Sequence, residues 1–197
     1  MAVRSLNVEH CLEFTPTVHA DDRGAFLEWF RQDELEAHTG RRFGLMQANL
    51  SVSRRGVLRG IHFTDVPPGQ AKYVTVVAGE VLDFAVDLRV GSPTFGTWDV
   101  VRLDDASRRG VFLPEGIGHA FVALSESATV CYLTTDLYTP ERERSLAPLD
   151  PRIALDLPTE ALVLSPKDAG APGLDELEAA GLLPTWDSCV EAYGAAA

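Results

Sequence analysis

Hydrophobic and polar residues alternate most cleanly between Leu45 and Ser53, where Met46, Ala48, Leu50 and Val52 fall on one face and Gln47, Asn49, Ser51 and Ser53 on the other. A period of two is the signature of a strand, and here its polar face carries no charge. Similar short runs recur near residues 57–63, 72–78, 81–88, 97–103, 111–113, 119–124 and 128–135. Pro67-Pro68-Gly69, Ala78-Gly79, Gly91-Ser92-Pro93, Asp104-Asp105 and Pro114-Glu115-Gly116 separate them, all good turn chemistry. So many short strands without intervening helices predict an all-β fold, an antiparallel sandwich or barrel. Upstream, residues 1–20 predict a strand or two broken at Pro16, Asp21-Asp22-Arg23-Gly24 a turn, and Ala25 to Phe30 an apolar strand. Gln32 to Gly40, rich in Glu, Leu and Ala and closed by glycine, predicts a short helix. Beyond Pro140 the chain turns polar and proline-rich, and Gly173 to Leu183 predicts one more short helix before the tail. No repeat or domain boundary stands out, so a single domain over residues 1–197 is expected, with a barrel core at about 45–135 and a C-terminal segment, about 140–197, packed on it.

Composition narrows the function classes. At 46% hydrophobic and 23% charged residues this is an ordinary globular chain. A formal charge of -12 argues against nucleic-acid binding, and any anionic ligand has to be held by local basic residues. Cys11, Cys131 and Cys189 are unpatterned, fitting neither a disulfide framework nor a zinc site, and read as reduced thiols. No apolar run suggests a signal peptide or a membrane span; a cytoplasmic protein is expected.

Candidate chemistry concentrates between Gly56 and Arg89, where Arg59, His62, Lys72 and Asp83 lie in successive strands. Histidine is the usual general base near neutral pH. Strict alternation sets Arg59 and His62 on opposite faces, unless Gly60 marks a bulge that re-aims one of them. Asp83 and Asp87 share a face opposite Leu82, Phe84, Val86 and Leu88; a solvated face is the expectation for Asp87, while Asp83 is undecided between solvent and a lumen. Lys72, opening a strand after a Pro-Pro-Gly turn, has the position of an edge gatekeeper, and Tyr132, mid-strand, that of a core tyrosine. A metal-binding barrel of the cupin kind would need His-x-His, but His62 is followed by Phe63 and Thr64. With His119 in Pro114-Glu115-Gly116-Ile117-Gly118-His119, two histidines are too few for a dedicated metal centre.

The order of motifs resembles the dTDP-4-dehydrorhamnose 3,5-epimerase family and its dTDP-deoxysugar relatives. DDRGAFLEWF, QANLSVS, VLRGIHF, GQAKYV, GEVLDFAVDLRVGSPTFGTW, LPEGIGHAFVAL, the Tyr132 to Pro140 segment and LSPKDAGAP carry the likeness, from about Asp21 to Pro172. The resemblance implies a cupin-type jelly-roll barrel, a homodimer that exchanges its N-terminal segment, no metal or organic cofactor, and a dTDP-4-keto-6-deoxyhexose substrate.

It also implies roles. His62 matches the base, Asp168 the carboxylate paired with it, Lys72 the enolate stabiliser with Asp83 and His119 close by, and Tyr132 the acid on the opposite face. Arg23 and Arg59 match diphosphate contacts, Gln47 and Asn49 positions lining the nucleotide and sugar site, Phe26, Glu28 and Tyr138 the thymidine contacts, and Glu143 a further substrate-binding position. Ala25 between Arg-Gly and Phe26, and the charged run Thr139 to Arg144, resemble epimerases of antibiotic deoxysugar pathways, some of which invert only C3 or only C5. Two other readings stand beside this one: a metal-free 3,4-ketoisomerase of the same keto-sugar, and a non-catalytic dTDP-sugar-binding protein.

Overall fold

Two antiparallel sheets carry the architecture in the computed structural model, which describes residues 1–158 and 161–195. The strands are β1 (Ala2–Ser5), β2 (Leu12–Thr15), β3 (His19–Asp21), β4 (Gly24–Phe26), β5 (Gln47–Arg54), β6 (Leu58–Thr64), β7 (Lys72–Ala78), β8 (Glu80–Asp87), β9 (Trp98–Asp104), β10 (Gly110–Leu113), β11 (Ile117–Ala123), β12 (Ser127–Thr134) and β13 (Glu143–Ser145). One sheet runs β1-β2-β10-β7-β12-β5 and the other β13-β6-β11-β8-β9, while β3 and β4 form a separate hairpin. Consecutive strands cross repeatedly between the sheets, giving the all-β, cupin-type jelly roll that the alternation and the resemblance implied. The helices are short: α1 (Gln32–Thr39), α2 (Pro166–Ala169), α3 (Leu174–Ala179) and α4 (Trp186–Ala195). Among the described residues no helix is long and apolar enough to cross a membrane.

The inner faces meet in an apolar core that includes Val74, Val76, Val81, Val101, Val111, Phe121 and Val130. A second cluster covers the outer face of the β6-bearing sheet: Leu58, Ile61, Phe63, Phe84, Val86 and Leu88 pack against Leu146, Ile153, Leu155, Leu174, Leu177 and Leu183. That sheet is therefore buried on both sides, which corrects the expectation for Asp87. Its carboxylate is fully buried against Arg89 at 2.7 Å and accepts further hydrogen bonds from Ser92 and Thr94, both at 2.6 Å. Alternation correctly separated the aspartates from Phe84 and Val86, but could not show that the polar side is enclosed too.

Several boundaries also differ from expectation. The strand predicted for Ala25 to Phe30 ends at Phe26, because Trp29 and Phe30 turn inward to pack on Tyr73, with ring centroids 6.1 and 5.1 Å away. The helix at Gln32 ends as its glycine predicted, with Gly40 left-handed at φ 73° and its N–H bonded to Glu36. The helix predicted to run to Leu183 stops at Ala179, and the tail forms α4 instead. That helix is fastened by Tyr193, whose hydroxyl accepts from Arg89 at 2.8 Å and donates to the Glu115 carbonyl at 2.9 Å.

Candidate active site

Register along β6 decides which of its side chains face the barrel interior. His119 of β11 stands opposite His62, and Phe121 opposite Arg59, so three steps on β6 match two on β11. The extra residue is a bulge. Gly60 sits within it at φ 111°, and a Cβ there would lie 2.4 Å from the His119 carbonyl oxygen and 2.7 Å from Ala120. Only glycine fits so close a crossing. The bulge brings Arg59 and His62 to the same side, where both line one cavity of about 320 Å³ with Val163, Ser165, Lys167 and Asp168. A larger hollow of about 570 Å³, bordered by Arg41, Pro67, Asp136 and Glu191, contains none of the candidate catalytic residues. Chemistry, not size, therefore locates the site.

His62 is joined to Asp168, its Nε2 lying 2.6 Å from Oδ1. The second carboxylate oxygen accepts from the Ser165 hydroxyl at 2.9 Å, and the Asp168 N–H donates back to Ser165 Oγ at 3.1 Å. Ser165 thus caps the short helix α2. A carboxylate on Nε2 fixes the proton there and leaves Nδ1 as the basic nitrogen. Burial pulls the imidazole below its ordinary pKa, partly opposed by Asp168, while Lys72 and Lys167 lower it further. Burial thus biases the ring towards its neutral form.

A second histidine–carboxylate pair lies beside the first: His119 Nε2 is 2.8 Å from Asp83 Oδ2. Asp83 is 1% exposed, and its other oxygen, Oδ1, has no hydrogen-bond partner among the described residues. Each histidine is committed to its own carboxylate, and no described group of three His, Cys, Asp or Glu converges as a metal-binding set.

Across the lumen the other sheet supplies Lys72, Tyr132, Gln47 and Asn49. Thr134 pairs with both Lys72 and Gln47, and two residues along Tyr132 pairs with both Val74 and Asn49, so these side chains share one face. Burial lowers the Lys72 pKa, an effect opposed by the nearby charges of Glu143 and Asp83. Burial raises Tyr132, which also feels Arg59 and Glu143. Glu143 is raised by burial too, against the pull of Lys72 and Lys167. Of the predicted site residues, Arg59, His62 and Asp168 line the cavity described above; Lys72, Asp83, Tyr132 and Glu143 do not line it, and are tied to it through the charges these groups exert on one another. Gln47 bonds to Asn49 at 2.7 Å and accepts from the Tyr138 backbone N–H at 3.0 Å, tying the otherwise exposed Tyr138 loop to the rim.

Arg23, Phe26 and Glu28 are not brought to this cavity. They belong to the β3–β4 hairpin and its continuation, where Phe26 is 67% exposed. Arg23 pairs with Asp21 at 2.6 Å and Glu28 with Arg31 at 3.2 Å. Sequence reasoning also passed over Ser165. The Ser-x-x-Asp spacing of a helix N-terminus, with proline next to the serine, was the signal available.

A neutral histidine paired to a carboxylate, facing a buried lysine and a protonated tyrosine across a barrel lumen, is the equipment of a proton-transfer isomerase. Similarity to known proteins agrees with it. The chain belongs to the dTDP-4-dehydrorhamnose 3,5-epimerase family, whose profile matches residues 5–176. It is 56% identical over 189 residues to dTDP-4-dehydrorhamnose 3-epimerase of Streptomyces niveus, covering 96% of this chain and 91% of that one. It superposes on the RmlC epimerase of Mycobacterium tuberculosis with a TM-score of 0.98, at 46% identity and full coverage of both chains. It superposes on ChmJ, a 3'-monoepimerase from Streptomyces bikiniensis solved with dTDP-quinovose, with a TM-score of 0.94, at 43% identity and 97% coverage of each.

Proposed function

We propose that this protein epimerises a dTDP-4-keto-6-deoxyhexose at C3, with C5 the second centre open to the same chemistry, in the biosynthesis of a deoxysugar of the antibiotic type. The observation that carries the reading is the His62–Asp168 pair facing Lys72 and Tyr132 across the lumen. Protons on the carbons flanking a ketone are acidic because their removal leaves an enolate. His62 Nδ1 takes the proton from one face, and the resulting imidazolium is stabilised by Asp168. The Lys72 ammonium, with His119 held by Asp83, meets the negative charge growing on the C4 oxygen. Tyr132, kept protonated by burial, returns a proton from the opposite face. Arg59, anchored by Ser53 at 3.0 Å, offers a guanidinium suited to the diphosphate. Gln47, Asn49 and Glu143 line the sugar and nucleotide site, and Tyr138 stacks on the base.

The assembly we infer is a homodimer in which the β3–β4 hairpin serves the neighbouring subunit's site. Two observations support it. Strand β5 is an open edge whose outward side leaves Leu50 63% and Val52 60% exposed, with Met46 beside them. A contiguous apolar edge of this kind calls for a partner. The hairpin, meanwhile, holds Arg23, Phe26 and Glu28 away from its own cavity, in the position of a segment that reaches across. We propose that residues 1–197 act as one epimerase unit, with the C-terminal segment supplying Asp168.

Incubation with dTDP-4-keto-6-deoxyglucose in deuterated water tests the activity. Deuterium is expected at C3, and incorporation at C5 reads whether the second centre is inverted. Absence of label at both carbons sinks the proposal, and carbon NMR showing a ketone moved to C3 would convert it into an isomerase.

A further inference from the structure

We infer that Ser165 is a positioning residue for the proton abstraction, holding Asp168 so that His62 presents one fixed tautomer to the substrate. This rests on the reading of His62 as the base. Asp168 has two carboxylate oxygens and both are spoken for: Oδ1 by His62 at 2.6 Å and Oδ2 by the Ser165 hydroxyl at 2.9 Å. The same hydroxyl oxygen accepts the Asp168 N–H at 3.1 Å, so one side chain grips the aspartate at both its backbone and its head group. The grip is itself anchored to the strand that carries the histidine. Val163 N–H donates to the Gly56 carbonyl at 2.8 Å and Leu58 N–H to the Val163 carbonyl at 3.0 Å, a parallel bridge joining Val57 and Val163. Ser165 is therefore registered against β6 two residues beyond that bridge. Asp168 is 3% exposed, whereas Ser165 itself is exposed, so the hydroxyl holds the buried carboxylate from its solvent side.

Three substitutions separate the two things the hydroxyl does. Ser165→Ala removes both the helix cap and the donor. Ser165→Thr keeps both. Ser165→Gly keeps most of the helix-capping stability but has no proton to give and adds no charge beside Asp168. If Ser165 positions the base, Ala and Gly both lower kcat by about tenfold to a hundredfold, the range for losing the outer partner of a metal-bound histidine. KM stays within about threefold, and Thr restores kcat. If the residue only caps α2, Gly keeps near-full activity along with Thr, and the inference is overturned.

Nitrogen NMR of the histidine rings supplies a readout independent of turnover. Wild-type His62 is expected to show a single Nε2–H tautomer, and Ser165→Ala a mixture of both. An unchanged tautomer in Ser165→Ala overturns the positioning role even if the wild-type protein shows no exchange with the keto-sugar, an outcome that separately refutes the epimerase reading.

Discussion

His62 Nε2 and Asp168 Oδ1 stand 2.6 Å apart although 106 residues separate them in the chain. As the proposed base, His62 works only while its imidazole is neutral, and burial already biases it towards that form. The acid limb of the kcat/KM profile is therefore expected below the ordinary histidine value of about 6.5. Activity rises with pH through that limb because deprotonation creates the base. His62→Ala should lower kcat by about a hundredfold to ten-thousandfold with the circular dichroism unchanged. Full deuterium exchange in this variant would place the base elsewhere.

In the proposed mechanism Lys72 is a cation held in the lumen for chemistry, at a cost in stability. It is 9% exposed, and its nearest carboxylate influences, Glu143 and Asp83, only partly offset burial. Lys72→Met should lower kcat by about a hundredfold to a thousandfold, the loss typical of a missing enolate or oxyanion donor. It should also raise the melting temperature by about 2–4 °C, corresponding to roughly 1 kcal/mol regained by removing a poorly paired buried charge. Calorimetry alongside steady-state kinetics checks both halves; a variant both less active and less stable would mean the ammonium is a structural tie.

Gly60 makes the shared orientation of Arg59 and His62 possible. Gly60→Ala is expected to cost at least about 3 kcal/mol, combining a positive-φ penalty with a clash against the β11 backbone. Urea denaturation should show a clearly lower midpoint, and whatever folds should lose exchange activity out of proportion, because the bulge aims the proposed base.

Leu50 and Val52 test the dimer. In a monomer, charged residues at such exposed positions change stability by no more than about 0.5 kcal/mol. In the proposed dimer, Leu50→Asp with Val52→Glu should yield monomers by analytical ultracentrifugation and lose most activity with Arg23, Phe26 and Glu28 no longer delivered. A monomeric wild-type protein, or a fully active monomeric variant, counts against strand exchange.

Much of this could be read from residue order alone. Period-two alternation located nearly every barrel strand, and turn residues marked the breaks, because both follow from local backbone and side-chain geometry. Gln47, Asn49, Ser51 and Ser53 were separable from Met46, Ala48, Leu50 and Val52 for the same reason. The motif order also carried the family and its proton-transfer chemistry, since the residue types such chemistry needs are a property of the chain itself.

What tertiary structure decided was everything that depends on distance across the fold. Alternation could not say whether Arg59 and His62 share a face, because a bulge breaks local periodicity and shows itself only in the pairing with β11. It misjudged Asp87, because burial of the polar side depends on what packs over it, here Arg89 and the C-terminal helix. Ser165 acquired meaning only once Asp168 was seen against His62. The sequence determined which groups the protein owns; only the crossing of strands between two sheets decided which of them meet, since side chains over a hundred residues apart are brought together by packing and not by any local rule.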